Sequence, residues 1–143
     1  MNKILVDTNI VLDLLAKREP FYDSAAALFT LADKKKVRLA ISSLSVANTN
    51  YVLSRNKSAK EAREILRLFK VLVRVFNLND KIIDLALADG SFRDFEDGLQ
   101  YYSAIENNLE LILTRNPKDF KSSKLPVMSA DEYISSLKRN VSG

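Results

Sequence analysis

Lys3-Ile4-Leu5-Val6-Asp7-Thr8-Asn9 runs three apolar residues straight into an acid, a hydroxyl and an amide. An apolar helical pattern follows at once, with Ile10, Val11, Leu14 and Leu15 on one side. A short, wholly apolar run bounded by polar residues reads as a buried strand. An acid at the end of such a strand is costly unless something pairs with it. In open α/β sheets, the space just outside the carboxyl ends of the strands is where ligands bind. Asp7 is therefore the first candidate functional residue.

Outward from that stretch, short apolar runs alternate with helical patterns. Asp7 or Thr8 caps a first helix, which Arg18-Glu19-Pro20 breaks, because a residue before proline avoids the helical region. A second helix is expected from about Phe21 to Lys34, ended by the cationic Lys34-Lys35-Lys36. Residues 38–42 form a second strand, and a helix follows to about Arg55. Ser58-x-x-Glu61 is a capping box that opens an amphipathic helix, with Ala62, Ile65, Leu66 and Phe69 inward. Residues 71–76 contain a third strand, and Asn79-Asp80 caps a helix through Ala88. Asp94-Phe95-Glu96-Asp97 starts the next helix, and Glu110 to Leu113 is a fourth strand. Pro126-Val127-Met128 is a short last strand, and Ser129-x-x-Glu132 caps a final helix. The alternation argues for a central, mostly parallel sheet of four to five short strands with helices on both faces. Residues 1–138 read as one domain, and residues 139–143 as a frayed tail.

Composition narrows the chemistry. Neither Cys nor His occurs in the 143 residues. No disulfide, no Cys or His zinc site and no Ser-His-Asp machinery is available. Catalysis must then use carboxylates, hydroxyls, amides, Lys, Arg, Tyr or a bound metal, and hard oxygen donors suit Mg²⁺ or Mn²⁺. A net charge of +4 mildly favours a polyanionic partner, although from charge alone a lysine-rich surface is the better account. The N-terminus lacks a signal-peptide layout and no run is long enough to span a membrane, so the chain reads as cytoplasmic.

Parallel strands bring their carboxyl ends to one edge. Asp7 leaves the first strand, Asn48 follows the second, and Thr114, Asn116 and Asp119 follow the fourth. Asp97 stands in the first turn of the helix before that strand. Carboxylates gathered in one cleft repel unless a cation lies among them. Each residue also has a plainer reading alone: Asp7 and Asn48 as caps, Asp97 as an N-terminal helix acid, Asn116-Pro117 as a turn. Asp94 and Glu96 read as surface acids, and Tyr101 and Tyr102 as packing residues.

Val6-Asp7-Thr8-Asn9, Ser42-x-x-Ser45-x-x-Asn48, Glu96-Asp97 and Leu113-Thr114-Arg115-Asn116-x-x-Asp119-Phe120 together resemble a PIN domain, most closely the stand-alone PIN proteins of the VapC toxin type. The resemblance runs from residue 3 to about residue 134. It implies a three-layer α/β/α sandwich and a Mg²⁺- or Mn²⁺-dependent endoribonuclease. Asp7, Asp97 and Asp119 would be the catalytic and metal-binding acids, with Asn9, Asn48, Thr114 and Asn116 in support. Arg115 and Lys118 would hold the RNA backbone. Asn48 stands where the family has glutamate and Asn116 where aspartate is common, so weaker metal affinity is expected. An antitoxin partner and a homodimer are further implications. One alternative is a catalytically weakened PIN-like domain that binds RNA or protein. A phosphotransferase of the haloacid-dehalogenase type fits less well, because its nucleophile motif wants an acid where this chain has Asn9.

Overall fold

The computed structural model describes residues 2–142, with side chains described through Arg139. Five strands, β1 (Lys3–Val6), β2 (Arg38–Ser42), β3 (Val73–Phe76), β4 (Leu111–Leu113) and β5 (Val127–Met128), form one sheet in the order β3-β2-β1-β4-β5. Every pairing is parallel, so the expected mostly parallel sheet is wholly so. The helices are α1 (Thr8–Leu15), α2 (Tyr22–Asp33), α3 (Ser43–Asn56), α4 (Ala59–Phe69), α5 (Asp80–Ala88), α6 (Phe95–Glu106) and α7 (Ala130–Ser142). None is long and apolar enough to cross a membrane.

The unbroken apolar strands follow from burial on both sheet faces. Alternate residues of a strand point to opposite faces. Ile4, Val6, Leu39, Ile41, Leu111 and Leu113 enter one core with α1, α2 and α7 residues such as Ile10, Leu28, Phe29 and Tyr133. Leu5, Ala40 and Ile112 enter the opposite core with Tyr101 and Ala104 of α6. This produces the three layers, with β1 at the centre of the sheet.

Local chemistry sets the element ends. The Ser58 hydroxyl accepts from Glu61 N–H at 3.1 Å to start α4. The Ser129–Glu132 box is reciprocal, each side chain accepting the other's backbone N–H at 3.1 Å. β3 begins two residues later than its apolar run indicates. Residues Lys70–Leu72 continue α4 as a 3-10 turn and leave Val71 83% exposed. α1 stops at Leu15, and the chain turns through Lys17, which has a left-handed φ of 51°. The backbone of α7 is helical to Ser142, through most of the expected frayed tail, while residue 143 and the side chains after Arg139 lie outside the described ones.

Candidate active site

β1 lies between β2 and β4, so the chain leaves it toward opposite sides of the sheet. Such a reversal opens a crevice at the carboxyl ends of the strands. Asp7 stands in that crevice. Its backbone N–H still donates to Leu113 of β4, at 2.9 Å. Its carboxylate then does two things. Oδ1 accepts from Thr8 N–H at 2.8 Å, capping α1, and Oδ2 accepts from the Thr114 hydroxyl at 2.8 Å. Thr114 is fully buried and its oxygen also accepts from the Asn9 amide at 3.3 Å and Asn116 N–H at 3.2 Å. The Asn9 carbonyl accepts from Arg115 N–H at 3.2 Å. The ends of β1 and β4 are thus cross-linked by side chains that fix the Asp7 carboxylate.

Asp7 lines a cleft of about 260 Å³ together with Asn9, Arg18, Asn48, Glu96 and Asp97. Asp97, in the first turn of α6, also borders a second cleft of about 460 Å³ lined by Arg93, Asp94, Phe95 and Asp119. Burial first, then repulsion from Asp7, Asp94, Asp119 and Glu96, pushes the Asp97 carboxyl up to about 7. Burial also raises Asp7. The hydrogen bonds from Thr114 and Thr8 oppose that rise, and the charges of Asp119 and Glu96 add to it. The helix N-terminus favours an anion at Asp97, yet desolvation and like charge outweigh it.

The expected site residues separate into three groups. Asp7, Asn9, Asn48, Asp97 and Thr114 come together at the first cleft or directly beneath it. Asp119 is exposed and lines the second cleft with Asp97, and its charge acts on both Asp97 and Asp7. Among the described residues, no three carboxylates are placed to hold one metal ion. Asn116 and Lys118 are exposed and line neither cleft. The Arg115 guanidinium is engaged elsewhere: Nε lies 3.1 Å from Asp13 Oδ2, and the group sits 4.3 Å above the Phe21 ring.

Three contributors escaped the sequence reading. Glu96 borders the acidic cleft rather than standing as a plain surface acid. Arg18 brings a cation to it from the turn after α1, where a helix break offered no sign of a site. Gln100 of α6 is 2% exposed and donates to Ser45 Oγ at 2.9 Å and Thr8 Oγ1 at 3.4 Å, while those hydroxyls lie 2.7 Å apart. Its position one turn after Asp97, on the same helix face, was the available signal.

A parallel sheet with acids fixed at its central switch point defines the class. The chain belongs to the PIN domain family, whose pattern matches residues 3–118. Among particular proteins, it is 28% identical over 134 residues to Ribonuclease VapC1 of Aquifex aeolicus, covering 92% of each chain. Its fold is similar to the DNA-bound VapBC of Salmonella typhimurium, with TM-score 0.68 and 17% identity, over 91% of this chain and 99% of that one. It is also similar to VapC20 of Mycobacterium tuberculosis, a sarcin-ricin loop cleaving toxin. That match has TM-score 0.60 and 17% identity, over 76% of this chain and 86% of the other.

Proposed function

We propose that this protein is a metal-dependent endoribonuclease and the toxin of a toxin–antitoxin pair. The observation that carries the reading is the pairing of Asp7 and Asp97 across one cleft at the sheet's switch point, with both carboxyls raised. The similarity to a VapC ribonuclease supports it.

The donor set fits a hard divalent cation. Mg²⁺ is commonly held by one or two carboxylates with waters and substrate phosphate oxygens. Asp7 and Asp97 would hold the ion, with the Asn48 amide able to support it or its waters and Asp119 approaching from the second cleft. When bound, Mg²⁺ or Mn²⁺ acidifies a water and offsets charge on the phosphate. The protein's own residues do the remaining work. Thr114 and Thr8 hold the two Asp7 oxygens in place, so little reorganisation is needed on binding. Asn9 ties Thr114 to the β4 loop. Arg18 faces the cleft as a cation for a phosphate oxygen.

An antitoxin partner has a suitable surface elsewhere. A groove of about 770 Å³ between α3, α4 and β3 has an apolar floor including Val46, Leu66 and Val75, with Arg63, Arg67 and Lys70 at its rim. An acidic amphipathic segment complements it. Homodimer formation and a cytoplasmic location belong to the same reading.

The test is incubation of purified protein with mixed RNA in Mn²⁺, in Mg²⁺ and in EDTA, beside Asp7→Asn. Metal-dependent cutting that disappears in the variant is expected. A folded wild-type protein that binds RNA but never cuts it, over a wide metal range, overturns catalysis. Asn48, an amide where the family has glutamate, favours that second reading, a binding module with a weakened site.

A further inference from the structure

The second cleft contains a feature that phosphodiester chemistry does not require. Phe92, Tyr101, Tyr102 and Phe120 stack into one aromatic cluster, with ring centroids 5.0 to 6.4 Å apart. Phe95, three residues after Phe92, shares no ring contact with it. It is 43% exposed and lines the 460 Å³ cleft beside Asp97. An exposed phenyl ring two residues from a candidate metal-binding acid gains nothing from solvent. Asp94 caps α6 by accepting from Glu96 N–H at 3.0 Å, which fixes the backbone that carries the ring.

The charges around Phe95 restrict what can enter. Asp94, Asp97 and Asp119 line the same cleft and repel phosphate, while Arg93 is the one cation lining it among the described residues. A neutral, flat group is accepted there more readily than a phosphate. Aromatic rings bind unpaired nucleobases by stacking, with little dependence on sequence. On the far side of Asp97, the first cleft offers Arg18 to the backbone. A strand crossing Asp97 therefore meets a cation on one side and an aromatic face on the other.

We propose that Phe95 is a stacking platform for an unpaired base of the RNA substrate, beside the phosphate to be cut, with Arg93 at the rim to engage the adjoining backbone. A base must leave its helix to lie on this ring, so the site selects single-stranded or looped RNA over duplex. This assignment rests on the ribonuclease reading above.

The chain has no tryptophan, so Phe95→Trp gives a spectroscopic reporter at the platform itself. The variant is titrated in EDTA with a single-stranded RNA oligonucleotide and with a fully paired RNA duplex. Saturable quenching by the single strand and none by the duplex is expected. In Mn²⁺, Phe95→Ala raises KM for the single strand by roughly 5- to 100-fold, the range that loss of one stacked base produces. Its kcat stays within a few-fold of wild type, and circular dichroism shows the fold intact. Phe95→Tyr restores KM. Equal KM in wild type and Phe95→Ala, with RNA still cut, overturns the platform and leaves the ribonuclease standing. Failure of the wild type to bind or cut any RNA overturns both.

Discussion

Two aspartates on helix α1, Asp7 at its N-cap and Asp13 in its last turn, are buried among different charges. Asp13, 2% exposed, sits 3.1 Å from the Arg115 guanidinium. Burial raises its carboxyl, and the charges of Arg115 and Arg18 pull it back down. Asp7, at the other end, is raised by burial too, but only hydrogen bonds oppose the rise and its charged neighbours are Asp119 and Glu96. One acid receives a protein cation. The other receives acids. A buried charge without a counter-charge is expensive, and a protein that can place an arginine at Asp13 can place one at Asp7. Like charge gathered at Asp7 and Asp97 is what the proposed cation site requires.

The comparison breaks most visibly through activity. Asp7→Asn and Asp97→Asn each remove a charged donor while keeping shape, and kcat/KM for RNA in Mn²⁺ is expected to fall by about 100- to 1,000-fold. Circular dichroism should show the fold intact. Retained cutting in both variants would mean that the acid pair is not the catalytic centre. Asp13→Ala is expected to act on stability instead. It strands a guanidinium whose side chain is 29% exposed and empties a buried site, costing about 2–4 kcal/mol in urea unfolding. A loss of activity without a loss of stability would show that Asp13 belongs with the functional acids.

That division of labour was only half legible in the sequence. The strand runs, the caps at Asp7, Ser58, Asn79 and Ser129, and the meeting of Asp7 with Thr114 followed from local pattern and parallel topology. Side-chain direction did not follow. Arg115 stands next to Thr114, and adjacency pointed it at RNA. Its backbone does join the site, through Asn9, but its side chain crosses to Asp13 and Phe21. Asp119 falls at the right spacing after β4, and the 3-10 turn Pro117–Phe120 buries Phe120 while placing the acid at the second cleft, an offset that spacing does not reveal. Arg18 reaches the cleft by a three-dimensional route that no spacing rule announces, whereas Gln100 follows Asp97 by one helical turn.

Stability against pH sharpens the comparison from the other direction. The folded carboxyl of Asp97 is pushed up to about 7, above its ordinary value of 3.8. Between those values the folded state holds more protons than the unfolded one. Stability from this group is present at low pH and lost as pH rises toward 7. In EDTA near pH 8, Asp97→Asn should therefore melt several degrees above wild type, at about 4 °C per kcal/mol for a chain of this size. The gain should shrink as the pH falls. Apparent Mn²⁺ affinity of the wild type should rise by up to about tenfold per pH unit below 7 and level off above it, since the ion competes with the proton. Isothermal titration across that range checks the slope. A flat profile would separate Asp97 from the metal.

The smallest effect is the most discriminating. Asn48 lines the acidic cleft with its amide, where a carboxylate would add a further negative donor. Asn48→Asp changes charge at constant shape, so packing is not at issue. Without metal, the added charge sits beside a pair that already repels, and the protein should lose about 1 kcal/mol near pH 8. With saturating Mn²⁺, the same charge is attracted to the ion, and affinity should improve by up to about tenfold. The sign of the stability change thus reverses between EDTA and Mn²⁺. Asp13→Asn cannot reverse in this way, because its counter-charge belongs to the protein and is present in both conditions. A loss at Asn48→Asp that persists in Mn²⁺ would show that the first cleft does not hold the ion.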